Sequence, residues 1–119
     1  MARSLVRSAA LCALLVAGCT GSSPWHPVKV YKSDGSLQCQ GDGTSVEEMQ
    51  RELTDRGIAV ACGQKASDGS AHVTVCGAST GSINVYTIDA EDLAQAQSLG
   101  FASTAELPDY QDQECVSQP

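Results

Sequence analysis

Residues 83–88 read INVYTI and residues 89–101 read DAEDLAQAQSLGF. The first run is dense in β-branched and aromatic residues, the composition that suits a pleated, half-buried strand. The second opens on Asp89 with Asp92 three residues on, and sets Leu93 and Ala96 on one face. Gly100 suits the left-handed position that stops a helix, and Phe101 then folds back as the apolar contact after the cap. A strong strand running straight into an amphipathic helix predicts a mixed α+β domain.

Working back towards the N-terminus, Gly77 to Ser82 (GASTGS) reads as a turn. His72 to Cys76 alternates Val73 and Val75 with polar residues, Ser67 to Ser70 (SDGS) carries Asp-Gly turn chemistry, and Ile58 to Cys62 alternates again. These segments predict a three-strand meander. Before it, Ser45 and Glu48 have capping-box spacing, Val46, Met49 and Leu53 share a face, and Gly57 can bring Ile58 against Leu53. That predicts a helix over 45–56. At the start, Val28 and Val30 alternate with Lys29 and Tyr31, a first SDGS follows at 33–36, and Leu37 to Cys39 reads as a short return strand. The sum is an α+β fold: a small antiparallel sheet of four to five strands with two helices packed on one face, over 28–101. The two SDGS turns suggest a repeat of two ββα halves, although identities in such short turns also arise by chance.

The first eighteen residues do not look like part of that domain. Arg3 and Arg7 supply a positive start, and Ser8 to Gly18 (SAALCALLVAG) is an uncharged, largely apolar run of eleven. A membrane-spanning helix needs about 20 apolar residues, so this run reads as the core of a signal peptide. Val16-Ala17-Gly18-Cys19 resembles the lipobox of bacterial lipoproteins. The resemblance implies lipid on the Cys19 sulfur, cleavage after Gly18 and a membrane partner reached through the lipid. Two or three acyl chains anchor durably where one holds only marginally. Thr20 stands where an Asp would retain the protein at the inner membrane in enteric-type bacteria, so the expected address is the periplasmic leaflet of the outer membrane, with another extracytoplasmic membrane face as the alternative. Residues 19–27 then read as a lipidated tether, with Thr20 to Pro27 rich in Gly, Ser and Pro. His26 within it reads as a solvated linker residue, and Trp25 as a ring for the headgroup region or for the domain's own surface.

Without Arg3 and Arg7, five Lys/Arg face fourteen Asp/Glu, a net charge of −9. Such a surface disfavours nucleic acid and anionic headgroups as partners. Cys39, Cys62, Cys76 and Cys115 remain after Cys12 and Cys19 are set aside. Four cysteines in a small exported domain read as two disulfides. If Asp68-Gly69 closes a two-residue hairpin, Cys62 falls opposite Val75 and Cys76 turns to the other face, which disfavours Cys62 with Cys76. A pseudo-twofold between halves favours Cys39 with Cys76, leaving Cys62 with Cys115 to tie an acidic tail over 102–119. A one-residue bulge would reverse the register.

No catalytic or metal constellation is legible. The closest mature cysteines are fourteen residues apart, unlike C-x-x-C, and His72 stands alone, read as a residue on the solvated face of the sheet. Glu47, Glu48 and Glu52 cluster on the first helix and Glu91 with Asp92 opens the second, and they read as dipole partners and solvated faces. No cofactor, no metal and no enzyme activity are therefore expected. The stretch 77–86 is the recognition candidate, with Ser79 and Thr80 in its loop and Asn84 and Tyr86 projecting from an open sheet face. The run DGSLQC, then VCGASTGSINVYTI, then DL and LGF is similar to small envelope lipoproteins of Gram-negative bacteria, and this implies location alone. The expected function is a lipid-anchored, non-catalytic binding or structural module with an envelope protein or glycan partner. The alternative is an inhibitor or regulator of an exported enzyme such as a peptidase.

Overall fold

The computed structural model describes residues 24–115. The signal-like run, Cys19 and the first part of the tether lie outside the described residues. Four strands, β1 (Pro27–Ser33), β2 (Cys62–Ser67), β3 (Ser82–Asp89) and β4 (Ala102–Ser103), form one antiparallel sheet in the order β2-β3-β1-β4. Helix α1 (Val46–Thr54) precedes β2. A short 3-10 turn (Ala90–Asp92) leads into α2 (Leu93–Ser98), which precedes β4. The α+β class stands, with four strands and two helices among the described residues.

The caps form as their spacing predicts. The Ser45 side chain accepts from the Glu48 N–H at 3.1 Å. At the other end of α1, Ile58 N–H donates to Leu53 O and Gly57 N–H to Thr54 O, with Gly57 at φ +79°. The same pair of bonds closes α2: Phe101 to Ala96 and Gly100 to Gln97. Each is a Schellman closure that drives the next apolar residue into the core, and Ile58 and Phe101 are both buried.

Alternation sorts the strands into two faces. Val30, Tyr86 and Ile88 join Met49 and Leu53 of α1, Ala96 of α2, Ile58 and Phe101 in one apolar cluster, so both helices cover the same face. Tyr86 and Phe101 meet edge to face at 5.9 Å. Gly63 on β2 lets α1 approach, since a Cβ there would lie 2.9 Å from Val46 and 3.0 Å from Tyr86. The opposite face carries Lys29, Gln64 and Cys62 and is crossed by the C-terminal segment. Lys29 pairs with Asp112, Gln64 Nε2 donates to Gln113 O at 3.3 Å, and Cys62 is bonded to Cys115.

Several expectations change. The strand expected at 58–62 begins only at Cys62, because Ile58 is used as the helix-closing contact and residues 58–60 serve packing, not pairing. β2 then runs on through the first residue of the second SDGS and pairs with β3, Cys62 opposite Thr87 and Ser67 opposite Ser82. Residues 72–76 form no strand, and the expected Asp68-Gly69 hairpin does not exist. Leu37 to Cys39 is likewise no strand; Leu37 makes one isolated bridge to Ser79. The segment from 102, expected as tail, opens with β4, whose Ala102 and Ser103 pair with Tyr31 and Val30. Pro27, expected in the tether, already pairs with Asp89.

The two SDGS turns are alike in detail. In each, the Ser side chain accepts from the Gly N–H and the Asp carboxylate accepts from the following Ser N–H, over 2.8–3.2 Å. They follow β1 and β2, which flank β3 in the same direction, so they sit side by side at one end of the sheet. The repeat is thus a turn used twice, not two ββα halves about a twofold axis.

Candidate functional site

The end of the sheet that carries both SDGS turns holds an open cleft of about 600 Å³, lined by Asp34, Ser36, Gly43, Ser45, Lys65 and Thr80 among others. Local geometry builds it. After β1 the chain turns at Gly35 (φ +76°) and points the Asp34 side chain inward, where it is 3% exposed. Its carboxylate accepts from Ser36 N–H at 2.8 Å and from Lys65 Nζ at 2.7 Å. Burial alone would raise the Asp34 pKa, but Lys65, Ser36 and Ser82 together outweigh it and hold the carboxyl well below the usual range. The Asp34 carbonyl accepts from Thr44 N–H at 2.7 Å, which folds the 41–44 loop over the turn. Gly43 permits that approach, since a Cβ there would be 2.2 Å from Asp34 O.

Residues 75–81 run alongside and contribute Thr80 to the lining. Gln38 N–H donates to Ala78 O at 2.8 Å, Gly77 N–H to Gln38 O at 3.0 Å, and Thr80 N–H to Ser36 O at 3.3 Å. Ser36 Oγ and Thr80 Oγ1 lie 2.5 Å apart. These cross-links carry Cys39 to Cys76, which are bonded with Cα atoms 5.1 Å apart. Cys62 and Cys115 are bonded with Cα atoms 6.1 Å apart, at the other end of the sheet. Both pairings match the expected connectivity, but the hairpin register and twofold axis that led to it are absent. The little ribbon between 37–38 and 77–79 makes the first bond, and the tail's path over the sheet makes the second.

Of the recognition residues expected from sequence, Ser79 is exposed and Thr80 lines the cleft, half-buried. Asn84 and Tyr86 do not project from an open face, for both are fully buried under α1. Asn84 Nδ2 donates to Thr44 O at 3.0 Å, and Tyr86 OH donates to Val46 O at 2.7 Å, so both polar ends hold the start of the helix. Burial, with the charges of Glu52 and Glu47, pushes the Tyr86 hydroxyl pKa upward. His72 is not on a solvated sheet face either. Its Nε2 lies 2.9 and 2.8 Å from the two Asp68 carboxylate oxygens, and its ring rests on Gly81.

Sequence reasoning missed Asp34 and Lys65 as the centre of the cleft. Asp34 was legible only as a turn residue, and nothing local marks Lys65, which reaches it across β3 and the turn. Among the described residues no group of three or more His, Cys, Asp or Glu could hold a metal ion, and no helix is long and apolar enough to cross a membrane. The cleft can offer the partly exposed Lys65 ammonium, the rim carboxylates of Asp42 and Glu47, and main-chain groups of the 41–44 loop. Comparison of the chain with protein-family models, curated proteins and solved structures found no match.

Proposed function

We propose that the chain is a lipid-anchored module of the bacterial envelope, held in the periplasmic leaflet of the outer membrane through Cys19, that holds a protein or glycan partner without catalysis. The observation that carries this reading is the polarity of the sheet. Pro27, where the tether joins, stands beside Asp89 at one end of β1, and Ser33 stands beside Ile83 at the other. Seven strand residues rise about 20 Å, so the cleft and the 68–81 loop lie at the end remote from the tether. A domain leashed at one end and shaped at the other suits the display of a binding surface away from a membrane. The two disulfides, one towards each end of the sheet, suit an oxidising compartment. The cleft's polar groups are largely spent on one another, Asp34 on Lys65 and Ser36 on Thr80, which suits a scaffold better than a poised nucleophile and base.

Two measurements test this. Cys19→Ser should abolish incorporation of labelled palmitate; incorporation into that variant refutes the anchor. A photo-crosslinker placed at Ser79 should capture a discrete partner in intact cells, and one at Gln97 on α2 should not. Equal capture at both positions refutes a recognition end.

A further inference from the structure

We propose that residues 71–75, AHVTV, form a substrate-like strand that occupies the cleft of an exported peptidase accepting aliphatic side chains, and so inhibits it. This rests on reading the remote end of the domain as its recognition end. The segment connects β2 to β3 without joining the sheet, and it runs without a turn or a bend. Among the described residues, the main-chain groups of 71–74 make no hydrogen bond to other main chain. Val73 and Val75 are 68% and 62% exposed. Two residues apart in an unbent chain, they share a side, while His72 turns inward. Free N–H and C=O groups with apolar side chains at alternate positions are what a cleft reads when it pairs an extended peptide by its main chain and takes alternate side chains into pockets.

The segment is also fixed at both ends. Upstream, the Asp68–His72 pair lies over Gly81, and Gly69 sits so close to the chain at 109–110 that a Cβ there would be 2.0 Å from Asp109 O. Downstream, Val75 O accepts from Ala78 N–H at 3.0 Å, and Cys76 is bonded to Cys39. A segment pinned through His72 on one side and through Val75 and Cys76 on the other loses little freedom on docking, which separates an inhibitor loop from an ordinary flexible substrate. A second copy of this chain is a poor occupant. Each mature copy carries a net charge of −9, and a five-residue edge against its own twin falls far short of the about 1,200 Å² of a stable interface. A concave cleft wraps the same loop from several sides.

The test uses the purified mature chain and an elastase-type serine peptidase that cleaves after valine, with a trypsin-type peptidase as control. The chain should slow hydrolysis of a valyl chromogenic peptide competitively and leave the control untouched. The double variant Val73→Asp, Val75→Asp should inhibit at least about tenfold more weakly; because both side chains are exposed, its unfolding midpoint should match the wild type. The proposal is overturned if the wild-type chain does not compete, or if it is cut within 71–76 as fast as a linear peptide of residues 68–81. It is also overturned if the double variant inhibits equally, or if sedimentation shows a dimer that the double variant abolishes. None of these outcomes bears on lipidation, which the palmitate experiment reads separately.

Discussion

The Asp34–Lys65 pair is asymmetric, and the two ends should respond differently to removal. The carboxylate is almost wholly buried, whereas the Lys65 side chain is 45% exposed. Lys65→Met leaves an ionised carboxylate in the interior with the Ser36 N–H as its main support, and a buried charge stripped of its partner is costly. Water reaches the half-exposed site and recovers part of that, so about 2 kcal/mol is expected. Asp34→Asn leaves the ammonium free to hydrate and keeps an acceptor for Ser36, so about 1 kcal/mol is expected. Urea unfolding with both disulfides intact reads the difference directly. In thermal unfolding the two variants should separate by roughly 4–8 °C, the shift per kcal/mol for a domain of this size. The pH dependence has a fixed sign. Asp34 has a depressed pKa in the fold, so the unfolded chain binds more protons near pH 4. The pair's contribution is therefore complete above the ordinary aspartate value of about 3.9 and is lost as pH falls towards the folded value. The penalty of Lys65→Met should shrink over the same acid range. If Lys65→Met costs no more than Asp34→Asn at pH 7, the carboxylate is not the dependent partner and the reasoning fails.

Three further outcomes are expected. Gly43→Ala should destabilise by about 2 kcal/mol or more and loosen the 41–44 loop, since its Cβ would fall 2.2 Å from Asp34 O; an unchanged unfolding midpoint contradicts so close a crossing of the two backbones. Tyr86→Phe should cost about 1 kcal/mol by removing the bond to Val46 O, with fraying of the first turn of α1 seen by amide exchange. Replacing Cys39 and Cys76 by serine should cost up to about 4 kcal/mol for the 37-residue separation in the chain-entropy model, and should speed amide exchange in 37–40 and 75–81 while sparing β1 and β3.

What was legible in the sequence is what local chemistry decides. Ser45 with Glu48, Gly57 with Ile58, and Gly100 with Phe101 each act within six residues, and all three caps form as their spacing demands. INVYTI was legible as a strand because its side chains suit burial on both faces, and as β3 it lies between β1 and β2. Partner choice was not legible. The alternation of HVTVC looks like a strand, but the edge of β3 is taken by CGQKAS, whose small and polar residues give little strand signal; Gly63 is there because α1 leaves no room for a side chain. Asn84 and Tyr86 looked like polar residues facing out because a strand pattern says nothing about the main-chain carbonyl groups at the start of a helix that crosses above it. The cleft was invisible for the same reason: Asp34 and Lys65 are 31 residues apart and meet only once β2 has docked on β3.

Whether this domain hangs from a lipid on Cys19 is read most directly from the intact mass of the mature protein extracted in detergent. The chain should begin at Cys19, with two disulfides and no free thiol, and should carry the added mass of diacylglyceryl with or without a third acyl group on the terminal amine. An N-terminus at any other residue, or an unmodified Cys19 thiol, contradicts the lipid anchor.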